Sequence, residues 1–459
     1  MIGMDLNNDS IGLSLKDKAS HASRRYRLLI GMVCLGLGLR LIVLLVYLAA
    51  HGGRGEIWEY EAIAKNLLAG KGFTYEFNGT TYQSYAVPVF PLVCALLHVV
   101  GGDGLGLYYV FHLAVSAGIM VLTYAIATSF FGERVGLLSA LLVAVEPGLV
   151  IYQSYKVDVM ALAGALLLLG MLLFRRLTDS LDGRWAVALG VVLGVGILTR
   201  PDLVALGGLL LLWLARDRWR AGHILRVSAI AIVVAMLIVM PWSIRNYRVH
   251  GQVVLLTTVT GEWFWRGNNP NATGTSLTED GRSQLEAAPA GFRERLFAAS
   301  ELQQNALLTE EAVRFIKADP AGFLTRAAKR AYYFWWFTPT FGMSTYEWVS
   351  DWGRMAYKLG YAVVLGLAGL GAMSARGAKG PQAGHDGVYL LVVPVCLALV
   401  HSINYVEGRH RVLVMPLLLI LAAQGIAAGL DRVRGVSVMP SMPQAGEDPS
   451  AHLRSPRAP

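Results

Sequence analysis

Leu, Val, Ala and Gly follow one another in long runs through most of this chain, broken by short polar or basic turns. A helix needs about 18 or more apolar residues to cross the bilayer core, and a soluble fold has no use for so many such runs. The pattern predicts spans over 28–50, 104–131, 135–152, 157–175, 184–199, 202–216, 227–244, 355–375, 387–405 and 410–430. The stretch 86–101 is apolar but short and carries Pro88, Pro91 and His98, so it reads as an interfacial or re-entrant helix. The expected fold class is therefore an all-α polytopic membrane protein with about ten transmembrane helices and further helices lying on the membrane.

Composition agrees: 55% of the residues are hydrophobic and 15% charged, against about 25% charged in a soluble domain. A cytosolic enzyme, a secreted disulfide scaffold and a disordered chain are all excluded. Cys34, Cys94 and Cys396 each sit in an apolar stretch and read as small core residues. The net charge of +9 does not call for nucleic acid as a partner, because membrane proteins collect Lys and Arg for topological reasons.

Those basic residues orient the chain. If 86–101 stays on one face, Arg134, Arg175, Arg176, Arg216, Arg218 and Arg432 fall on the same side as Lys16, Arg24 and Arg25. If it crosses, they all move outside, against the positive-inside rule. The resulting organisation is a cytoplasmic tail 1–26 and a transmembrane module 27–244 with a first outer loop 51–103. An extracytoplasmic region 245–354, C-terminal helices 355–430 and a disordered cytoplasmic tail 431–459 follow. In the outer region, Leu296–Lys317 has helical spacing, and 331–337 reads as an aromatic belt at headgroup level.

Charges gather at the outer ends of the spans: Glu56 and Glu59; Glu146, Lys156 and Asp158; Arg200 and Asp202; Arg245 and Arg248; Glu407, Arg409 and Arg411. Each ionisable group at full membrane depth costs roughly 2.5–3.5 kcal/mol, so such groups tend to be functional. Arginines in an outer pocket suit a phosphate through forked hydrogen bonds, and a carboxylate beside them suits removal of a hydroxyl proton. A phosphate leaving group at the membrane surface implies a lipid-phosphate donor. No Gly-rich phosphate loop follows a strand and no zinc-ligand spacing occurs, so a soluble nucleotide-sugar site is unsupported. Arg40 lies inside the first span and needs a partner that the sequence does not name, while His112 and His401 read as satisfied core histidines.

Four segments in order carry a resemblance. GEIWEYEAIAKNLLAGKGF (55–73), GVGILTRPD (194–202), PWSIRNYRVHG (241–251) with GNNPNATG (267–274), and GRHRVLVMP (408–416) resemble elements of the dolichyl-phosphate-mannose–protein mannosyltransferase-like glycosyltransferases. That group includes the lipid A aminoarabinose transferases. The resemblance implies a GT-C membrane enzyme, a hexosyl- or pentosyltransferase that moves a sugar with inversion from a polyprenyl-phosphate donor to an acceptor hydroxyl. It implies no cofactor, and a glycan, lipid or protein acceptor, in a bacterial inner membrane with the site facing the periplasm. A metal is not expected, because each outer acidic residue has a basic neighbour.

Carried onto this chain, the catalytic carboxylate is Glu56 or its rival Glu59, with Asp158 as the second acidic position. The family usually has Asp where Glu56 stands. Arg200, Arg245, Arg409 and Arg411, with Lys156, are expected at the donor phosphate, and Tyr60, Asn246, Asn268 and Asn269 elsewhere on the substrate. The alternative is a polytopic transporter or lipid-linked sugar flippase. Transporters tend to show repeats and midplane charges; this chain has no evident repeat and keeps its charges at one end of the spans, which favours the enzyme.

Overall fold

The computed structural model describes residues 15–51, 58–156, 158–339, 350–376 and 383–434. Glu56 and the C-terminal tail beyond Arg434 lie outside the described residues. The first half runs α1 (Leu15–Ala50), α2 (Glu59–Leu68), a hairpin of β1 (Tyr75–Phe77) and β2 (Thr80–Tyr82), α3 (Val89–Gly101), α4 (Gly106–Phe131), α5 (Glu133–Val145), α6 (Pro147–Tyr155), α7 (Met160–Ser180) and α8 (Gly183–Ile197). A 3-10 turn (Pro201–Leu206) leads to α9 (Gly207–Arg216) and α10 (Ala221–His250). Then come α11 (Thr260–Gly267), α12 (Ala290–Phe297), α13 (Glu301–Ala318), α14 (Pro320–Trp335), α15 (Asp351–Arg376), α16 (Ala383–Ile403) and α17 (Arg409–Val433). The expected tail 1–26 is thus helical from Leu15, continuous with the first span.

Among the described residues, six segments are long and apolar enough to cross a membrane: Ser23–Ala50, Gly106–Phe131, Met160–Ser180, Arg218–His250, Asp351–Ala375 and Arg409–Val433. The expected 135–152 span is instead the pair α5 and α6, bent by 56°. The break has a local cause: Pro147 opens α6, and the Glu146 carboxylate accepts the Leu149 amide at 2.6 Å. The 184–199 and 387–405 spans become the short apolar helices Gly183–Ile197 and Gly387–Ile403, and 202–216 is divided between the 3-10 turn and α9. Hydrophobic runs count apolar residues and not turns, so a count of ten overstates the long helices. The 86–101 stretch is the short helix α3, packed on α2.

α17 lies at the centre, its residues from His410 to Ala423 all buried. It meets α15 at Gly371 and Gly425, where a methyl on either would run into the carbonyl of Leu421 or Leu367. In the outer region, Trp265, Leu285, Leu296 and Leu308 form a small core under α11, α12 and α13. The 331–337 belt is only partly a surface feature. Tyr332 is exposed, but Tyr333, Phe334 and Phe337 are buried against the bundle. Of the three free cysteines, Cys94 is buried while Cys34 is exposed.

Two fastenings position the first outer loop. Asn78 and Gly79 both take positive φ, as a two-residue hairpin turn requires, and set Tyr75 opposite Tyr82. Behind the hairpin, the Glu301 carboxylate at the start of α13 accepts the amides of Gln83 and Ser84 at 2.8 and 2.9 Å.

Arg40 has its partners. Its guanidinium donates to Gln153 Oε1 at 3.1 Å and to the carbonyls of Ala144 and Val143 at 3.2 and 3.3 Å. Those carbonyls end α5 and have no amide in the helix to bond. We expect Arg40→Met to destabilise the protein by about 3 kcal/mol, in the range for hydrogen bonds to a charged group. Adding Gln153→Leu to that variant should cost little more. Thermal unfolding of the two single variants and the double variant in detergent checks both statements.

Candidate active site

A cavity of about 440 Å³ opens where the first outer loop, the α6–α7 junction, the 3-10 turn, α11 and the α16–α17 connection meet. Glu59 and Tyr60 reach it from the first turn of α2, and Asp158 from the N-terminal end of α7. Arg200 and Asp202 enter on the 3-10 turn, where Pro201 at its first position ends α8. Arg266 comes from α11, His401 from the last turn of α16, Tyr405 from the α16–α17 connection, and Arg409 and His410 from the first turn of α17.

Three arginines face acidic partners. Arg200 forms a two-pronged pair with Asp202, Nε to Oδ1 at 3.0 Å and Nη2 to Oδ2 at 2.6 Å. His401 Nε2 lies 3.3 Å from the same Oδ2 and stacks on His410 at 3.7 Å. Arg409 Nε lies 2.7 Å from Glu407, and its Nη1 4.0 Å from Asp158. Arg266 pairs with Glu262 one helical turn earlier. Asp158 is held by the Tyr152 hydroxyl at 2.6 Å and the Met160 amide at 2.8 Å.

These pairs do not exhaust the donors. A guanidinium has five N–H groups; among the described residues Nη1 of Arg200 carries no hydrogen bond, and Arg409, for all its charge contacts, leaves Nε and Nη2 without one. A doubly charged oxyanion in the cavity would meet forked donors already fixed in place by their carboxylates. Glu59 differs from the other lining acids, for no cation lies in ion-pair range of it among the described residues. Burial pushes its pKa up, the charge of Asp158 adds to this, and Arg409 only partly offsets it. A carboxylate held above its ordinary range is a better proton acceptor.

The other expected site residues lie elsewhere. Lys156 sits over the Trp58 ring at 5.6 Å, beside the cavity and not in its lining. Arg245 donates to the Gln83 carbonyl at 2.6 Å and lies over Trp242 at 4.9 Å. Asn246 bonds the Val254 and Leu256 carbonyls and accepts from Ser84. Both therefore hold the first outer loop against α10. Asn268 donates to the Phe264 and Ile403 carbonyls, and Asn269 to that of Trp265, so they tie the end of α11 to α16. Arg411 lies over Phe337 at 4.3 Å in a separate small cavity with Glu146 and Tyr357.

Sequence reasoning passed over Arg266, Tyr75, Tyr85 and Trp263, which line the cavity, and read His401, which also lines it, as a core histidine. The Glu262–Arg266 spacing on a helix was the one available signal. His401 is indeed satisfied, but by Asp202 in the cavity wall, while neither ring nitrogen of buried His112 has a partner among the described residues. Arg330 was also unmarked. It is buried, bonds the Ser402 and Gly267 carbonyls and Asn268, and its pKa is lowered to about 10 by burial.

Residues 86–244 match the family described as dolichyl-phosphate-mannose-protein mannosyltransferase. This is the family that the motifs resembled. No curated protein matches the chain. The Archaeoglobus fulgidus oligosaccharyltransferase in its apo form aligns at a TM-score of 0.54 and 11% identity, over 89% of this chain and 51% of that one. Its complex with an inhibitory peptide and a dolichol-phosphate aligns at 0.53 and 11%, over 90% and 51%. The complex tethered to an acceptor peptide aligns at 0.52 and 12%, over 90% and 51%. The chain spans about half the length of these structures. At this identity the likeness establishes the fold alone, one shared with the Archaeoglobus oligosaccharyltransferase.

Proposed function

We propose that the protein is a membrane glycosyltransferase that takes its sugar from a polyprenyl-phosphate donor and transfers it with inversion to an acceptor hydroxyl. The observation that carries this reading is the partly buried Glu59 carboxylate, without an ion-pair partner among the described residues, sharing one cavity with the guanidinium groups of Arg200 and Arg409. The family match over 86–244 supports it, as does the dolichol-phosphate named in the complex of the Archaeoglobus enzyme. Arg200 and Arg409 hold the donor phosphate. The acceptor oxygen attacks the anomeric carbon, the bond from that carbon to the phosphate oxygen breaks, and polyprenyl phosphate leaves with the electron pair. The hydroxyl proton passes to Glu59, and Asp158 orients Arg409. A direct displacement of this kind inverts the anomeric centre.

The cavity lies at the Arg409 end of α17, and Asp431 closes the other end in a 2.6 Å pair with Arg134. α17 spans about 35 Å at 1.5 Å per residue. The positive-inside rule favours a cytoplasmic side for the basic turns at the Arg134 end, which supports a cavity facing the periplasm of a bacterial inner membrane.

Three measurements test the proposal. In a chain stripped of its native cysteines, Ala306→Cys on α13 should react with an impermeant maleimide in intact cells, and Ser180→Cys at the end of α7 only after permeabilisation. The opposite pattern would invert the protein.

Arg200→Lys and Arg409→Lys keep the charge but lose the fork, and each should weaken donor binding about 10- to 100-fold. Titration with a synthetic polyprenyl-phosphate sugar reads this, and unchanged affinity in both variants would remove the phosphate site.

Glu59→Gln cannot take the proton and should lower kcat by about 10²–10⁴-fold, with donor affinity nearly unchanged. Because the folded pKa of Glu59 is raised, wild-type kcat/KM should fall as pH drops through a value above the roughly 4.3 of an ordinary Glu. A pH profile lacking that limb, with a dead Glu56→Gln and an active Glu59→Gln, would transfer the base to Glu56.

A further inference from the structure

The cavity has two chemically different walls. One is aliphatic, with Val204 on the 3-10 turn and Val400 on α16, and Val204 is 55% exposed. The other is aromatic and is built by the hairpin. Tyr75 and Phe77 alternate on one face of β1, as period two requires, and their rings lie 5.9 Å apart and within 14° of parallel. Tyr85 packs against both, at 4.8 and 5.9 Å. All three rings line the cavity and are only partly buried. A fourth ring, Tyr82, the cross-strand partner of Tyr75, is buried beside Phe77 and Tyr85, with its hydroxyl bonded to Gln304 on α13. The wall is therefore aromatic and open on its cavity side, with the Tyr75 and Phe77 rings nearly parallel and the Tyr85 ring tilted by 58° and 60° to them.

Charged groups edge this wall. Arg266, fixed by Glu262 and lying 5.5 Å from the Tyr405 ring centre, lines the same cavity. Glu59 lies close enough for its charge to act on the phenols of both Tyr75 and Tyr85, whose pKa values are raised by burial and by Glu59 and Glu262. The phenols stay protonated and remain donors.

We propose that this aromatic wall is the acceptor subsite and that its occupant is a sugar ring, an assignment that rests on the transferase reading above. A pyranose or furanose ring has apolar C–H faces and a rim of hydroxyls. Its face packs on Tyr75 and Phe77, and its rim meets Arg266 and the phenols. A prenyl chain would leave those polar edges unused and fits the aliphatic wall instead. A hydroxyl of the seated ring then faces Glu59. Its oxygen bonds to the donor's anomeric carbon, its proton goes to the Glu59 carboxylate, and polyprenyl phosphate departs with the electron pair of the broken bond.

The test needs no donor. Saturation-transfer NMR on the full chain in nanodiscs, with a panel of methyl hexosides and pentosides, should show saturation concentrated on ring C–H protons of at least one glycoside. Tyr75→Ala combined with Phe77→Ala should weaken that binding about tenfold. Phe77→Trp keeps a flat face and should retain binding. Phe77→Leu keeps apolar volume without the face and should lose it, which separates stacking from packing. An unchanged thermal transition in each variant shows that the hairpin stays folded.

Glycoside binding that survives the double substitution overturns the assignment, and so does a serine- or threonine-containing peptide that binds in a platform-dependent way where no glycoside does. A chain that consumes a polyprenyl-phosphate sugar but fails this test keeps the reaction and loses the subsite. One that binds glycosides through Tyr75 and Phe77 yet never consumes the donor loses the reaction and keeps the subsite.

Discussion

A bilayer supplies no water to a helix that stops inside it, and the break between α5 and α6 is where this chain meets that constraint. Pro147 and the Glu146 cap end one helix and start another, leaving the Val143 and Ala144 carbonyls without amides. Arg40, reaching across from α1, satisfies both and shares its remaining donors between Gln153 and the Gly36 carbonyl. Without that guanidinium the bend would expose bare carbonyls to an apolar interior. The bend in turn sets the turn after Tyr155, where Asp158 enters the cavity. A buried charge that looks like a liability in the first span thus makes the site's geometry possible.

The same requirement organises the cavity. Each arginine in its wall is matched by a carboxylate: Arg200 by Asp202, Arg266 by Glu262, Arg409 by Glu407. Pairing lets three cations sit close together without mutual repulsion and locks the guanidinium planes before a ligand arrives. It also leaves a clear division of labour, since the acids that hold arginines are poor bases. Glu59 is not used that way, and burial raises its proton affinity.

The outer region contributes support more than chemistry. Glu301 holds the backbone behind the hairpin, Arg330 binds α14 to the last turn of α16, and Asn268 ties α11 to Ile403. The motif asparagines and Arg245 belong to this scaffolding in the present structure. A motif marks where a residue is needed and does not say whether it touches ligand or holds a loop.

Sequence alone determined the class of the fold, because runs of apolar residues have one stable solution in a membrane, and the basic turns at one end of the spans set its expected orientation. It also marked Glu56, Glu59, Asp158, Lys156, Arg200, Arg245, Arg409 and Arg411 as candidates, since charges at span ends are costly and stand out against an apolar background, and of these Glu59, Asp158, Arg200 and Arg409 line the cavity. Tertiary structure decided the rest. Whether Arg245 or Arg266 faces the cavity depends on how α10 and α11 are rotated, and both residues follow aromatic segments that look alike in one dimension. The partner of Arg40 lies 113 residues away in Gln153, a neutral amide that no charge pattern would flag. The aromatic wall rests on a three-residue strand whose side chains share a face only once the Asn78–Gly79 turn pairs it with β2. Hydrophobicity is a property of each residue and is legible one position at a time; pairing and facing belong to two chain segments at once and exist only after packing brings them together.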